Sequence, residues 1–137
     1  VALRESLAEV DLFSDLNSVE MNQLVHCGTK FKKGPGRMLV EQGSPDAGLQ
    51  LILSGSAVVT VNGNEVGTLR EGEYFGEMSL LDGAPRSATV TAGPEGVETF
   101  AISALAFSDL LDQHPDITRA VLRALTARIR RVEARQG

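Results

Sequence analysis

Residues 75–90 read FGEMSLLDGAPRSATV. One acid, Glu77, stands near the start and one base, Arg86, near the end, with glycines, small residues and the turn Asp82-Gly83-Ala84-Pro85 between. A buried strand would alternate or run apolar, and this stretch does neither. After Gly76, the residues EMSLL are good helix formers and predict one short helical turn. The leading N–H groups of such a turn have no acceptor within it, so they face outward and suit an anion. Arg86 returns over the 82–85 turn and is expected beside those amides. Amides plus one guanidinium make a phosphate site. Glu77 would repel an anion, so its carboxylate makes sense only as an acceptor for a neutral group attached to that anion. A ribose hydroxyl fits. Ser87 adds a hydroxyl next to Arg86. On this chemistry alone a second reading stays open, in which Glu77 and Arg86 pair to stitch a loop and bind nothing.

The flanks of this stretch set the fold class. Turn signals recur at close spacing: KGPG at 33–36, QGSPDAG at 42–48, SGS at 54–56, NGN at 62–64, REGEY at 70–74, DGAP at 82–85 and AGPEG at 92–96. Between them lie short β-branched or alternating runs: MLVEQ, LQLILSG, AVVTV, EVGTL, SATVTA and VETFAIS. Asn62-Gly63 is suited to the positive φ angles of a primed hairpin turn. So many short strands predict a small β-barrel of jelly-roll (double-stranded β-helix) type. Outside it the texture is helical. Leu3, Leu7 and Val10 mark a first helix; Asn17 or Ser18 caps a second with Val19, Leu24 and Val25 inward, and Gly28 stops it. Ser103 caps a third, with Leu105, Ala106, Phe107 and Leu110 available to face inward. Pro115 opens a long last helix striped by Ile117, Val121, Leu125 (or Leu122), Ile129 and Val132. A narrow stripe of that length asks for a partner, either the barrel or a second copy. The expected organisation is one domain over 1–137: helices at about 2–28, barrel at about 29–102, C-terminal helices at about 103–136.

The totals agree with a single globular domain. The chain has 137 residues, 42% hydrophobic and 23% charged, so a core is within reach. Aromatics are only 4% with no Trp, so that core is expected to be built mostly of Val, Leu, Ile and Ala. Net charge is −5, which argues against general nucleic-acid binding. From residue 119 to 137, however, six arginines stand against Glu133 alone. The single Cys27 rules out an intrachain disulfide, and no apolar run is long enough to span a bilayer. A cytoplasmic setting is expected, or the intracellular face if the chain is part of a membrane protein. A metal-binding barrel enzyme would need clustered His and carboxylate ligands. The two histidines, His26 and His114, fall in predicted helices, and neither Ser79 nor Ser87 has a nearby base. No metal, no cofactor and no catalysis are expected.

The order Gly-Glu then Pro-Arg-Ser-Ala is more specific than its parts. FGEMSLLDGAPRSATV closely resembles the phosphate-binding cassette of cyclic nucleotide-binding domains. That family includes catabolite activator-type regulators, regulatory subunits of cyclic-AMP-dependent protein kinase, and cyclic-nucleotide-gated channels. The resemblance runs over about residues 8–135, through Gly55-Ser56, EGEYFGE at 71–77 and HPDI at 114–117. It implies that the cyclic phosphate is held by Gly76, Met78, Ser79, Arg86, Ser87 and Ala88, and the ribose by Gly76 and Glu77. It implies a base wall on barrel strands, for which Val59, Val66 and Leu69 with Ser87 are the candidates. A lid from the C-terminal helix would come from Arg119, Leu122 or Arg123. The implied ligand is cAMP, with cGMP left open because Ser87 permits either base. The implied role is a non-enzymatic sensor that passes binding on through movement of the C-terminal helices. Implied partners are a second copy through the last helix, or an effector domain not in this chain. Two alternatives accompany it: the sensory part of a catabolite activator-type transcription regulator without its DNA-binding part, or a degenerate cassette kept for dimerisation. One departure is visible. The Thr-Ser pair that contacts adenine across the catabolite activator dimer has no match here, since Val132-Glu133 stand near that place.

Overall fold

The computed structural model describes residues 2–136. The chain forms two compact units, Gly28–Phe107 and the combination of Val1–Cys27 with Ser108–Gly137.

The first unit is a jelly-roll of six antiparallel strands: β1 (Thr29–Lys33), β2 (Met38–Val40), β3 (Gly48–Val61), β4 (Asn64–Arg70), β5 (Tyr74–Phe75) and β6 (Thr89–Ser103). The order is β1-β6-β3-β4, with β2 on β6 and β5 on β3. The spine is the β3–β6 pair, which runs in register from Gly48↔Ser103 to Thr60↔Thr89 with two shifts. The sequence predicts chain reversals at 54–56 and 92–96, and the structure corrects both. The strands continue through those glycines and bend. Gly55 has φ 78, and a Cβ there would lie 2.2 Å from the carbonyl oxygen of Gly96. The glycines therefore serve a close backbone approach inside the ladder rather than a turn. Asn62 (φ 52) and Gly63 (φ 82) do form the expected hairpin, closing β3 on β4 through Val61↔Asn64. The core cluster is aliphatic, as the composition demands: Val40, Ile52, Ala57, Val90, Ala92 and Val97, with Leu39, Val59, Leu69 and Phe75 packed against it.

The helical unit contains α1 (Ala2–Ala8), a 3-10 turn (Asp11–Phe13), α2 (Ser18–His26) and α5 (Pro115–Gln136); α4 (Ala104–Gln113) begins at the end of β6. Asn17 caps α2 with a reciprocal box. Its side chain accepts from Glu20 N, and its own N–H donates to Glu20 Oε1, both at 2.9 Å. Met21 and Leu24 form the buried face, while Val19 is exposed. Gly28 does not terminate α2 through a left-handed cap. Cys27 is the C-cap, and a Cβ on Gly28 would fall 2.2 Å from the Phe100 ring, so close packing is its role. Ser103 caps α4 as expected, accepting from Ala106 N at 3.1 Å, but Leu105 is exposed and Phe107 and Leu110 are buried. In α5 the buried stripe is Ile117, Ala120, Val121 and Ala124. Beyond it Ile129 and Val132 are exposed, while the half-buried Arg128 and the exposed Arg131 both pair with Asp11. No helix among the described residues is long and apolar enough to cross a membrane.

Candidate functional site

The site is built where β5 ends. Gly76 takes a left-handed φ of 84 and starts the short helix α3 (Glu77–Asp82). A second left-handed glycine, Gly83, ends it by donating to Ser79 O at 2.9 Å. The Asp82 side chain accepts from Ala84 N at 2.8 Å and turns the chain back. The returning segment is stitched to the β2–β3 loop: Arg86 N donates to Ser44 O at 2.9 Å, and Gly43 N donates to Arg86 O at 2.8 Å. Ser79 ties α3 to the start of β3, with its Oγ accepting from Gly48 N at 2.8 Å.

Arg86 is 7% exposed, one of two buried polar residues among those described. Its Nη1 donates to Gly48 O at 2.6 Å and lies 3.5 Å from Ser79 Oγ. Its Nη2 faces Asp46 Oδ2 at 3.5 Å. The guanidinium carbon sits 5.8 Å from the centroid of the Phe75 ring, a cation–π contact. Nε is buried with no partner. Buried N–H groups are almost always paired, and a buried cation needs a counter-charge. Arg86 is thus a buried cation whose hydrogen-bonding complement within the described chain is incomplete.

It opens on a cavity of about 440 Å³, within the range of small-molecule sites. Gly76, Glu77, Met78, Ser79, Arg86, Ser87 and Ala88 all line it, and so does Val59. The structure thus brings the expected phosphate and ribose residues, and two of the four base-wall candidates, Val59 and Ser87, to one cavity. It does not bring Val66 or Leu69 there. Val66 falls at the register shift where Thr60↔Glu65 gives way to Val59↔Gly67, so it bulges outward and is 62% exposed. Leu69, opposite Ala57, packs on the core instead. Arg119, Leu122 and Arg123 lie on α5 in the helical unit, where Arg119 pairs with Asp116 at 2.8 Å, Arg123 pairs with Asp15 at 3.3 Å, and Leu122 is exposed.

Several lining residues escaped the sequence reading. Val40, Phe75 and Val90 supply apolar wall, and Asp82, Ala84 and Pro85 supply the rim. Phe75 stood beside the cassette in plain sight, but nothing local says that its ring lies by the guanidinium. Asp46 and Gly48 carried only a turn signal, because their link to Arg86 is long-range. Among the described residues no group of three or more His, Cys, Asp or Glu is placed to hold a metal.

Residues 30–114 match the family model of the cyclic nucleotide-binding domain. A cAMP-dependent protein kinase regulatory subunit of Yarrowia lipolytica is 43% identical over 88 residues, 63% of this chain and 24% of that protein. A cGMP-dependent protein kinase of Toxoplasma gondii is 36% identical over 110 residues, 80% of this chain and 11% of that protein. The chain therefore spans a quarter or less of the length of these curated relatives. Among solved structures it is similar to the N-terminal domain of a transcriptional regulator from Streptomyces coelicolor A3(2), with a TM-score of 0.84, 26% identity, and coverage of 96% of this chain and 95% of that one. The matched span contains every cassette residue that lines the cavity, and this chain belongs to the cyclic nucleotide-binding domain family.

Proposed function

We propose that this chain is a ligand sensor that binds a 3′,5′-cyclic nucleotide, cAMP in preference to cGMP, and catalyses no reaction. One observation carries the reading: a buried arginine with an unpartnered Nε opens on a 440 Å³ cavity that Glu77 also lines. The phosphate is assigned to Arg86 and to the Gly76, Met78, Ser79, Ser87 and Ala88 walls, and the ribose 2′-hydroxyl to Glu77 with Gly76. Val59 and Ser87 are assigned to the base. A cation fixed in a water-poor wall binds an anion more strongly than a surface arginine would, since its desolvation cost is met during folding. The preference for cAMP rests on the Yarrowia lipolytica relative, whose 43% identity exceeds the 36% of the cGMP-dependent kinase. We assign transmission to the C-terminal helices, with Arg119, Leu122 or Arg123 as the residue that closes over the base, by a shift in population between two packings. Calorimetric titration with cAMP, cGMP and 5′-AMP tests the reading. Binding of the cyclic nucleotides but not 5′-AMP is expected, and no binding of any cyclic nucleotide up to millimolar concentration refutes it.

A second reading, the sensory part of a transcription regulator, is favoured by the likeness to the Streptomyces coelicolor domain. In it α5 pairs with a second copy. Besides its buried stripe, α5 carries a second one: Leu122, Leu125, Ile129 and Val132, spaced 3-4-3, three of them exposed. That is the a/d spacing of a two-stranded coil, and in a parallel pair Arg128 and Glu133 fall at g and the following e of the facing helix. Sedimentation equilibrium tests it: a dimer that Ile129→Lys dissociates is expected, and a monomer at all concentrations rejects it.

A further inference from the structure

Arg86 has two hydrogen-bonding edges, and the structure treats them differently. Nη1 is committed to Gly48 O at 2.6 Å. The other edge, Nε with Nη2, is the fork that grips a phosphate or carboxylate through two parallel bonds. Among the described residues, Nε has no partner there, and Nη2 meets only Asp46, at 3.5 Å. A charge-assisted bond would be about 2.7–2.9 Å. The Asp46 side chain is also 63% exposed, against 6% for Arg86. Asp46 therefore offsets the buried charge from one side without closing the fork. The arginine does not depend on it for its orientation. Gly48 O, the Phe75 ring, and the backbone bonds that join Arg86 to Gly43 and Ser44 already hold it.

We propose that Asp46 is a competing counter-ion, a carboxylate that contends with the ligand's phosphate for the Nε–Nη2 fork of Arg86 and so sets the affinity of the site. The inference rests on the assignment of the phosphate to Arg86. Two anions crowding one fork repel each other, so phosphate entry displaces Asp46 from Nη2. Its position suits that role, since it lies on the loop between β2 and β3 and is outside the residues that line the cavity. A carboxylate placed there weakens the bound state without touching sugar or base. It lowers affinity for every ligand carrying the phosphate by the same factor and leaves discrimination between cAMP and cGMP unchanged.

The test compares cAMP and cGMP affinities, by calorimetry, of the wild-type chain, Asp46→Asn, Asp46→Ser, and the control Glu65→Gln, which removes an exposed charge from β4. Both Asp46 variants are expected to bind each nucleotide about two- to fivefold more tightly, the size of an exposed ion pair. Glu65→Gln is expected to match the wild type. Asp46 variants that bind no more tightly than wild type overturn the proposal alone. Weaker binding by both makes Asp46 a support for the arginine and also overturns it. A gain equalled by Glu65→Gln reduces the effect to net charge and rejects it. A wild-type chain that binds neither nucleotide removes the cyclic-nucleotide reading and this inference together. The two substitutions differ in size and polarity, so failure of one to fold leaves the other to decide.

Discussion

A Cβ on Gly76 would stand 2.1 Å from the carbonyl oxygen of Gly48, the same oxygen that accepts from Arg86 Nη1 at 2.6 Å. The start of β3, the start of α3 and the Arg86 guanidinium thus meet at one point, and only a residue without a side chain fits there. The φ of 84 adds a second reason. Gly76→Ala is expected to destabilise the fold by about 1–3 kcal/mol and to push the guanidinium out of place, since its Nη1 is 2.6 Å from the same Cβ. Urea unfolding together with cAMP titration checks both effects. An unchanged unfolding midpoint would contradict this account of the crossing.

Arg86→Ala is expected to weaken cAMP binding by about 2–3 kcal/mol, the value of a hydrogen bond to a charged group. Arg86→Lys should recover little of it, because an ammonium cannot reproduce the fork. Unchanged affinity in either variant would place the phosphate elsewhere.

Glu77→Gln separates the sugar from the phosphate. The variant is expected to lose about tenfold in affinity for cAMP, as a charge-assisted acceptor becomes a neutral one. It should lose far less for 2′-deoxy-cAMP, which lacks the hydroxyl assigned to Glu77. Equal losses for the two ligands would mean that Glu77 acts on the cassette's structure and not on the ribose.

In the helical unit, Asp11 accepts from Arg131 at 3.1 Å and from Arg128 at 3.5 Å. These pairs are partly exposed, so Asp11→Asn is expected to cost no more than about 1 kcal/mol, and less as salt rises. Thermal unfolding at low and high ionic strength measures it. A large loss independent of salt would show that Asp11 acts through packing.

Burial pushes the Cys27 thiol above its ordinary pKa, which a backbone hydrogen bond only partly offsets. The thiolate is the reactive form, so the folded protein is expected to react with a disulfide reagent at neutral pH more slowly than the unfolded chain. The difference should narrow as pH rises and the folded thiol ionises. Equal rates for folded and unfolded chains at pH 7 would contradict the shift.

Local chemistry was legible where one short segment decides its own shape. The Asn17–Glu20 cap, the Asn62-Gly63 hairpin and the helical turn after Gly76 all follow from residues within a few positions of each other. Reading failed where the deciding partner is distant. The glycine clusters at 54–56 and 92–96 look like turns, and only the crossing of β3 with β6 shows them to be bends. Strand β1, TKFKK, carries no strand signal because all five residues are exposed, and it is its ladder with β6 that defines it. Val66, a base-wall candidate by the family resemblance, sits at a register shift in the β3–β4 ladder and is exposed.

The sequence by itself determined the class of fold, the order of helices, barrel and helices, and the cassette motif, because turn chemistry, capping and the spacing from Gly76 to Arg86 are local properties of the chain. It also determined that the core would be mostly aliphatic, although Phe13, Phe100 and Phe107 are buried in it. Tertiary structure alone decided what surrounds Arg86. The Gly48 carbonyl, the Asp46 carboxylate and the Phe75 ring reach it from three separate segments, and no spacing in the sequence marks their meeting. The physical reason is that a residue's type is written along the chain, whereas burial, an orphaned N–H and a facing carboxylate are properties of a place in space.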